Sequence, residues 1–276
     1  MTKKNLLICI LSALGFAAML ILFVITLLQP ALAPEMPESS VPTEATTLPP
    51  PTENVFTPLD FGYAGDYLTC LTAESILGID VSNYQGEIDW QQVKSAGVEF
   101  VMIRAAFRGY GNGLLYEDLR AQTNYQGAKA AGLKVGAYIF SQAISVEEAR
   151  EEAQYILDVT QNWELDMPLV YDWECLADDY RTVGVNARQL TDYTIAFCDT
   201  VKSAGFDPMI YFNPSQSHKE MYLAELTGYG FWLAMYTDQM DYPYKVDMWQ
   251  YTNQGTVPGI EGNVDINLYF PYLENA

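Results

Sequence analysis

Apolar residues beyond position 75 come in short, nearly continuous runs, and the earlier runs alternate with stretches of helical periodicity. Continuous apolar runs of this kind are typical of strands in a parallel sheet, because both faces of such a sheet are buried. We therefore predict strands at 76–82, 99–107, 133–140, 168–174, 208–213, 231–237, 246–252 and 265–270.

Helical patterns lie between the earlier strands, at 90–96, 119–131, 146–161 and 188–204. Three of them are followed by a glycine that suits a helix stop, namely Gly97, Gly132 and Gly205. Repeated strand–helix units imply an α/β fold in which helices pack outside a parallel sheet. Eight strands in roughly 200 residues predict a TIM-like (β/α) barrel with a core at 76–270 and reduced helices in its C-terminal part.

The N-terminal segment is free of charge. Lys3 and Lys4 precede it, residues 5–28 contain no charged side chain, and no Lys or Arg follows until Lys94. A run of roughly 20 apolar residues is long enough to cross a bilayer. By the positive-inside rule, we predict a cytoplasmic tail at 1–4, a transmembrane anchor at 5–28 and a single-pass protein of the cell membrane with its C-terminal domain outside.

A long signal sequence is the alternative, and the protein would then be secreted. Residues 31–33 are typical of a cleavage site, but Pro34 follows directly and fits cleavage poorly. Residues 29–60 are rich in Pro, Thr, Ser and Glu, which cannot build a core, so they are predicted to form a disordered linker. The barrel domain then occupies residues 61–276.

The composition is strongly acidic, with a formal net charge of −21 from 14 Lys and Arg against 35 Asp and Glu. Such a surface repels phosphate backbones, so we expect no nucleic-acid partner. The acidity either serves solubility or indicates a ligand that is neutral or cationic. We expect a monomer.

Histidine is nearly absent, since His218 is the only one in the chain. Zinc hydrolases need two or three histidine ligands and serine or cysteine triads need a placed histidine base, so both classes are disfavoured. The cysteines outside the N-terminal segment are Cys70, Cys175 and Cys198, without CxxC spacing. We expect free, mostly buried thiols, with a Cys175–Cys198 disulfide as the alternative. Any catalysis is therefore predicted to rest on carboxylates and tyrosines.

Four carboxylates are candidates for catalysis. In a parallel barrel, catalytic groups lie at the carboxyl ends of strands. Asp80 lies near the end of the first predicted strand, and Asp172 and Glu174 end the fourth. Asp265 opens the last strand and fits this rule less well.

The spacing of Asp172 and Glu174 has a chemical consequence. Residues two apart on a strand share one face, roughly 6.5–7 Å apart. Two converging carboxyl groups oppose each other's ionisation, so one keeps its proton near neutral pH, as glycosidic cleavage requires. We predict that Glu174 is the general acid and that Asp172 holds negative charge. The alternative to a catalytic role for Asp172 and Glu174 is an ion pair with Arg104 or Arg108 inside the barrel. For Asp80 alone, the alternative is that it caps the end of its strand.

Aromatic residues cluster near the same strand ends, and their rings could stack on the flat C–H faces of sugars. Most aromatic residues in a barrel belong to the core, so about half of this cluster is expected to reach the cleft. The predicted substrate-binding residues are Tyr138, Tyr211, Trp249, Tyr236 and Arg104.

Together, these residues resemble glycoside hydrolase family 25, the lysozymes or muramidases. The resemblance runs in family order over about residues 76–270, through the segments GIDVSNYQG (78–86), FVMIRA (100–105), GAYIF (136–140), YDWE (171–174), WLAMY (232–236), WQY (249–251) and VDIN (264–267). Each segment is weak alone, and the ordered set is specific.

The resemblance implies cleavage of β-1,4 bonds between N-acetylmuramic acid and N-acetylglucosamine in peptidoglycan, with no metal or organic cofactor. It assigns the acidic site to Asp80, Asp172, Glu174 and Asp265, with Glu174 as proton donor. Attack by the substrate's own N-acetyl group and an inverting attack by water both remain open.

One departure is Ile139, where the family often has a histidine after the tyrosine of the third strand. This departure leaves room for a non-catalytic barrel that binds the cell wall. A chitinase-like glycosidase on the same barrel is a further alternative.

Overall fold

The computed structural model describes residues 48–175 and 181–271, and all statements of structure below concern these residues. Their strands are β1 (Phe61–Ala64), β2 (Tyr67–Cys70), β3 (Ile76–Val81), β4 (Phe100–Arg108), β5 (Leu115–Glu117), β6 (Lys134–Ser141), β7 (Leu169–Trp173), β8 (Pro208–Phe212), β9 (Gly230–Ala234), β10 (Met248–Gly255) and β11 (Val264–Tyr269). Their α-helices are α1 (Trp90–Ser95), α2 (Ala121–Ala130), α3 (Val146–Val159), α4 (Ala187–Ser203) and α5 (Pro214–Lys219).

Eight of these strands close into a barrel in the order β3-β4-β6-β7-β8-β9-β10-β11, with β11 pairing back to β3. The eight predicted strands and four predicted helices are confirmed. The short β5, which was not predicted, pairs with the outer part of β4. No α-helix follows α5 in the described chain up to residue 271, which confirms the reduced helical content of the C-terminal part.

The last strand runs in the opposite direction to the others. Neighbours from β3 round to β10 pair in parallel, whereas β11 is antiparallel to both β10 and β3. A loop without a helix, at 256–263, joins β10 to β11, and a direct connection of this kind produces an antiparallel pair. The expectation of a wholly parallel barrel was wrong for this strand.

Alternating side chains on each strand enter two different hydrophobic layers. The barrel interior is filled by a small cluster that includes Phe100, Met102, Val170, Trp232 and Met248. The alternate residues pack outward, under the helices and the N-terminal hairpin, in a much larger cluster. This period of two, expected of strands, decides which side chains can reach the open end of the barrel.

The N-terminal hairpin formed by β1 and β2 packs on the outside of the barrel, where Phe61 contacts Trp249 with ring centroids 5.0 Å apart. The chain just before it is also fixed. Lys245 N donates to Thr52 O over 2.8 Å, and Asn54 N donates to Pro243 O over 2.9 Å. The described part of the predicted linker therefore pairs with the barrel domain from about residue 52, ahead of the expected boundary at 61.

The predicted tail and transmembrane segment, at 1–28, and the linker as far as residue 47 lie outside the described residues. Within the described ranges, no helix has the length and apolar character needed to span a bilayer. The thiols of Cys70, Cys175 and Cys198 are free, as expected, although Cys175 is exposed rather than buried.

Candidate active site

The four predicted carboxylates converge at one end of the barrel. Asp80 is near the end of β3, Asp172 is on β7, and Glu174 follows β7 directly. Because β11 is antiparallel, its first residues lie at this same end, and Asp265 is paired directly with Asp80. The poor fit of Asp265 to the strand-end rule is thus explained by the direction of its strand.

Two side-chain amides hold Asp80 in place. The Nε2 group of Gln250 and the Nδ2 group of Asn267 each donate to Asp80 Oδ2 over 2.8 Å. Asp80 is only 6% exposed. Two hydrogen bonds to one oxygen of a buried carboxyl fix its rotamer, so Asp80 is a positioned group and not a simple strand-end cap.

The amide oxygens are held in turn by aromatic donors. Gln250 Oε1 accepts from Tyr211 Oη over 2.9 Å and from Tyr236 Oη over 3.1 Å. Asn267 Oδ1 accepts from the indole Nε1 of Trp232 over 2.8 Å. These bonds orient both amides with their NH₂ groups toward Asp80.

Gln250, Asn267 and Trp232 were missed as candidate site residues, although all three fall within the segments that carry the family resemblance. A strict count of alternate positions along β10 and β11 could have found the amides. Met248 and Gln250 point to the same side of β10, as do Asp265 and Asn267 on β11.

Asp80 and Asp265 act as a coupled acidic pair. Burial, reinforced by the charge of Asp265, raises the pKa of Asp80 well above its ordinary value. Burial also raises the pKa of Asp265, to about 6, while a hydrogen bond with Asp80 partly offsets that rise. The pair therefore holds a proton to higher pH than two ordinary aspartic acids would.

Asp172, on β7, and Glu174, directly after it, form the second pair, and their side chains are hydrogen-bonded to each other. Burial raises the pKa of Asp172 well above its ordinary value, and the charges of Glu174 and Asp80 raise it further. Burial also raises the pKa of Glu174, whereas its hydrogen bond with Asp172 acts in the opposite direction. The two carboxyl groups thus share a proton, and the pair holds it to higher pH than an ordinary carboxylic acid would.

The carbonyl groups around Glu174 are fixed by two buried glutamines. Gln142 Nε2 donates to Glu174 O over 2.6 Å, and Gln216 Nε2 donates to Trp173 O over 2.8 Å. The indole Nε1 of Trp173 donates to Ala143 O over 2.9 Å. These contacts hold the end of β7 rigidly, so the position of the Glu174 carboxyl group depends mainly on its own side-chain rotation.

The two arginines are not direct partners of Asp172 or Glu174. Arg104 forms a salt bridge of 2.8 Å with Asp118 and a short hydrogen bond with Asn83. Arg108 lies on the outward side, where its Nε is 2.6 Å from the buried Glu152. The alternative in which an arginine neutralises the Asp172–Glu174 pair by direct contact is therefore wrong, although the charge of Arg104 does lower the pKa of Asp172.

Three of the predicted aromatic residues lie at the mouth of the barrel. Tyr138 and Tyr211 pack against the interior cluster, and negative charge on Asp80 and Asp172 acts on both hydroxyls. Tyr236 is 55% exposed. Trp249, in contrast, is fully buried outside the barrel against Phe61, so its prediction as a sugar-stacking residue was wrong. Its place follows from strand alternation, because Gln250 takes the inward position.

A cavity of about 340 Å³ opens beside Arg104. The guanidinium group lies over the ring of Tyr84 at 5.0 Å and over that of Phe107 at 5.3 Å. This wall offers flat apolar surfaces next to a charged donor, and it lies near the carboxylate pairs because Phe140 is paired with Asp172 in the sheet. The residues lining the cavity are Asn83, Tyr84, Arg104, Phe107, Tyr110, Leu119 and Phe140.

Residues 48–175 and 181–271 contain no group of three or more His, Cys, Asp or Glu side chains arranged to hold a metal ion. The chemistry that this arrangement can perform is proton transfer between carboxyl groups and stabilisation of positive charge. Both are the requirements of glycosidic bond cleavage.

The family model described as glycosyl hydrolases family 25 matches residues 79–260, well over half of the chain. The chain belongs to glycosyl hydrolase family 25. The matched range contains Asp80, Asp172 and Glu174 and ends shortly before Asp265, whereas the β1–β2 hairpin precedes it.

The chain is similar to several lysozymes. It is 30% identical to the autolytic lysozyme of Clostridium acetobutylicum over 193 residues, which cover 69% of this chain and 54% of that protein. It is also 30% identical to lysozyme M1 of Streptomyces globisporus, over 70% of this chain and 67% of that protein. The crystal structure of the bacterial lysozyme from Streptomyces coelicolor matches with a TM-score of 0.57 at 29% identity, over 71% of this chain and 92% of that one. This family 25 chain thus spans about half the length of the first of these relatives.

Ile139 occupies the position where the family resemblance leads us to expect a histidine. It is completely buried in the outer hydrophobic layer. Its side chain therefore does not contact the carboxylates at the barrel mouth. In this family 25 protein, the departure affects packing between the barrel and its helices and leaves the acidic site complete.

Proposed function

We propose that this protein is an N-acetylmuramidase that hydrolyses β-1,4 bonds between N-acetylmuramic acid and N-acetylglucosamine in peptidoglycan. The observation that carries the proposal is the Asp172–Glu174 pair, in which two neighbouring carboxyl groups at the barrel mouth are hydrogen-bonded to each other and burial raises the pKa of each. Membership of family 25 and the lysozyme names of the similar proteins support the choice of substrate.

Glu174 donates its proton to the glycosidic oxygen as the bond from that oxygen to the anomeric carbon breaks. Positive charge develops on the sugar ring, and ionised Asp172 stabilises it. The positive charge that grows beside Asp172 favours its ionised form. The proton shared by the pair therefore moves to Glu174 as the glycosidic bond breaks.

The second step uses the N-acetyl group of the bound sugar. Its carbonyl oxygen attacks the anomeric carbon while Asp172 stabilises the positive charge of the resulting ring. Glu174, now ionised, then takes a proton from the water that opens this ring, which restores the starting acid. The product keeps its β configuration, whereas direct attack by water would invert it.

The remaining residues bind and orient the glycan. Tyr138, Tyr211 and Tyr236 surround the carboxylates with hydroxyl groups and ring faces, and Arg104 provides a donor in the adjoining cavity. Asp80 and Asp265 keep a second shared proton near the site, which limits the negative charge that the carboxylates present together to the glycan.

We also propose, from the sequence alone, that residues 5–28 anchor the protein in the cell membrane with its barrel domain on the outer side. Cleavage after residue 33 would release the same domain. Mass spectrometry of the membrane-bound and released protein distinguishes the two forms.

Digestion of purified peptidoglycan, with mass analysis of the new sugar ends, tests the proposed activity. We expect reducing ends on N-acetylmuramic acid and none in digests with Glu174→Gln. Cleavage of N-acetylglucosamine polymers in preference to peptidoglycan would instead support a chitinase-like enzyme. Binding without any new ends would support a non-catalytic wall-binding protein.

A further inference from the structure

A second cleft, of about 710 Å³, lies between the N-terminal hairpin and the turn that connects β10 to β11. We propose that this cleft binds sugar units of the same glycan strand at a distance from the bond that is cut. The inference rests on the proposed function and assigns to the protein a preference for long glycan strands. The cleft residues used below are Tyr63, Asp66, Tyr236, Asp238, Asn253 and Gln254.

The hairpin wall of the cleft is fixed to the barrel. Tyr67 Oη donates to Thr256 O over 3.3 Å, and Leu68 N donates to Tyr251 Oη over 3.3 Å. Phe61, at the start of the hairpin, packs edge-to-face on Trp249. A wall held by a buried aromatic contact and by cross-connections can act as a preformed binding surface, which reduces the entropy lost on binding.

The cleft and the barrel mouth share one residue, Tyr236. This residue lines the cleft, and its hydroxyl also donates to Gln250, the amide that holds Asp80. The charges of Asp80, Asp265 and Glu174 all act on the Tyr236 hydroxyl. A linear ligand that is cut beside Glu174 can therefore extend past Tyr236 into this cleft.

The chemistry of the cleft suits a neutral polyhydroxyl chain. Tyr63 is 61% exposed and Tyr236 is 55% exposed, so both rings offer accessible faces for the C–H surfaces of sugars. Asn253 and Gln254 provide amide donors and acceptors. Among the described lining residues the charged ones are Asp66 and Asp238, and none is Lys or Arg, which disfavours an anionic ligand such as an acidic stem peptide.

The hairpin lies outside the part of the chain that the family match covers. That match starts at residue 79, whereas the hairpin wall is built by residues 61–70. The family resemblance therefore does not assign this wall a role. Because the hairpin forms one wall of the cleft, only a glycan long enough to reach this cleft can contact it.

Tyr63→Ala is the variant that tests the cleft, because Tyr63 lies outside the catalytic groups. The substrates are long glycan strands freed of stem peptides by an amidase and a short tetrasaccharide from the same strands. We expect KM for the long strands to rise about fivefold, the order of effect of losing one aromatic stacking contact. The value of kcat, and all constants for the tetrasaccharide, should stay unchanged.

Leu59→Ala is the matched control, since Leu59 is 88% exposed next to the hairpin and does not line the cleft. The inference would be overturned if wild type and Tyr63→Ala had equal KM values for the long strands. It would also be overturned if Tyr63→Ala raised KM for the tetrasaccharide as much as for the long strands.

A wild-type protein that releases no sugar ends would refute the proposed activity, and the cleft is then tested by binding alone. Fluorescence anisotropy of labelled stem-free strands should show binding to the wild type that Tyr63→Ala weakens about fivefold. Equal affinities, or no binding by the wild type, would overturn the cleft as a glycan site.

Discussion

Asp265 and Asp80 face each other as directly paired residues on the antiparallel strands β11 and β3, so two acids meet at the barrel mouth. Amide donors stabilise Asp80, but its burial and the charge of Asp265 still raise its pKa. The pKa of Asp265 rises from the ordinary 3.8 to about 6. A carboxyl group with a raised pKa in the folded state makes stability depend on pH.

Asp265→Asn should stabilise the protein above pH 6. The folded state holds the Asp265 proton to higher pH than the unfolded state, so the stability linked to it is present below about pH 4 and lost as pH rises to 6. A shift of this size corresponds to about 2–3 kcal/mol. Thermal unfolding should show equal melting temperatures for variant and wild type near pH 4, and a more stable variant at pH 8.

The exposed Asp238 provides the control, because Asp238→Asn removes the same charge from the surface. It should produce a much smaller difference between pH 4 and pH 8. If the melting temperature of the wild type instead rose above that of Asp265→Asn as the pH increases, the assigned direction of the pKa shift would be contradicted.

Gln250→Leu should lower activity more than it lowers stability. The change removes one donor from Asp80 and the shared acceptor of Tyr211 and Tyr236, which costs about 1–3 kcal/mol of stability. Because three site residues lose their orientation together, we expect kcat/KM to fall about 100-fold, the upper range for loss of a supporting contact. Peptidoglycan turnover and thermal unfolding measure the two effects.

Gln154→Leu is a suitable control, since Gln154 is an exposed residue on α3 whose amide donates to the neighbouring Asp158. Its turnover should match that of the wild type. Normal turnover by Gln250→Leu as well would mean that the orientation of Asp80 is unimportant for the reaction.

Strand periodicity was enough to predict the barrel, because apolar runs and the helical stretches between them mark the βα units. The same pattern brought Asp80, Asp172 and Glu174 together, since all three lie at the ends of parallel strands. It could not give the direction of β11, which depends on the pairing of distant chain segments. The β1–β2 hairpin was missed because its strands are only four residues each and carry no continuous apolar run.

Trp249 shows the limit of composition as a guide to binding residues. An aromatic side chain near a strand end can face the cleft or the outer layer, and only the register decides. One position of slip along β10 exchanges Trp249 with Gln250. The Gln250 amide is therefore part of the site, although nothing in the sequence marks it as a candidate. Trp249 is part of the outer hydrophobic layer.

Trp249→Phe should consequently reduce stability and leave substrate affinity unchanged. The change removes the hydrogen bond from the indole Nε1 to Met235 O and leaves a gap against Phe61. We expect a loss of about 1–3 kcal/mol in the free energy of unfolding. Urea unfolding and KM for peptidoglycan check this, and a raised KM with unchanged stability would restore Trp249 as a binding residue.

The buried pair of Arg108 and Glu152 predicts a double-variant effect outside the site. Glu152 is completely buried, and it accepts from Arg108 Nε over 2.6 Å and from Ser141 Oγ over 2.5 Å. Arg108→Met should cost about 3–5 kcal/mol because it leaves a buried acid without its charged partner. The double variant with Glu152→Met should recover much of this loss in urea unfolding. Additive losses would show that the two side chains are not energetically coupled.

The pH dependence of cleavage should report the shared proton of Asp172 and Glu174. The working form carries one proton on the pair, so kcat/KM should be bell-shaped. Because the pKa of each group is raised, activity should extend to higher pH than an ordinary glutamic acid would allow, and it should fall as the last proton leaves.

Asp172→Asn should lower kcat about 10²–10³-fold, as loss of a charge-stabilising group does. It should also abolish the acidic limb, since only Glu174 then titrates. An acidic limb that persists in Asp172→Asn would assign it to another group, with the Asp80–Asp265 pair as the next to test.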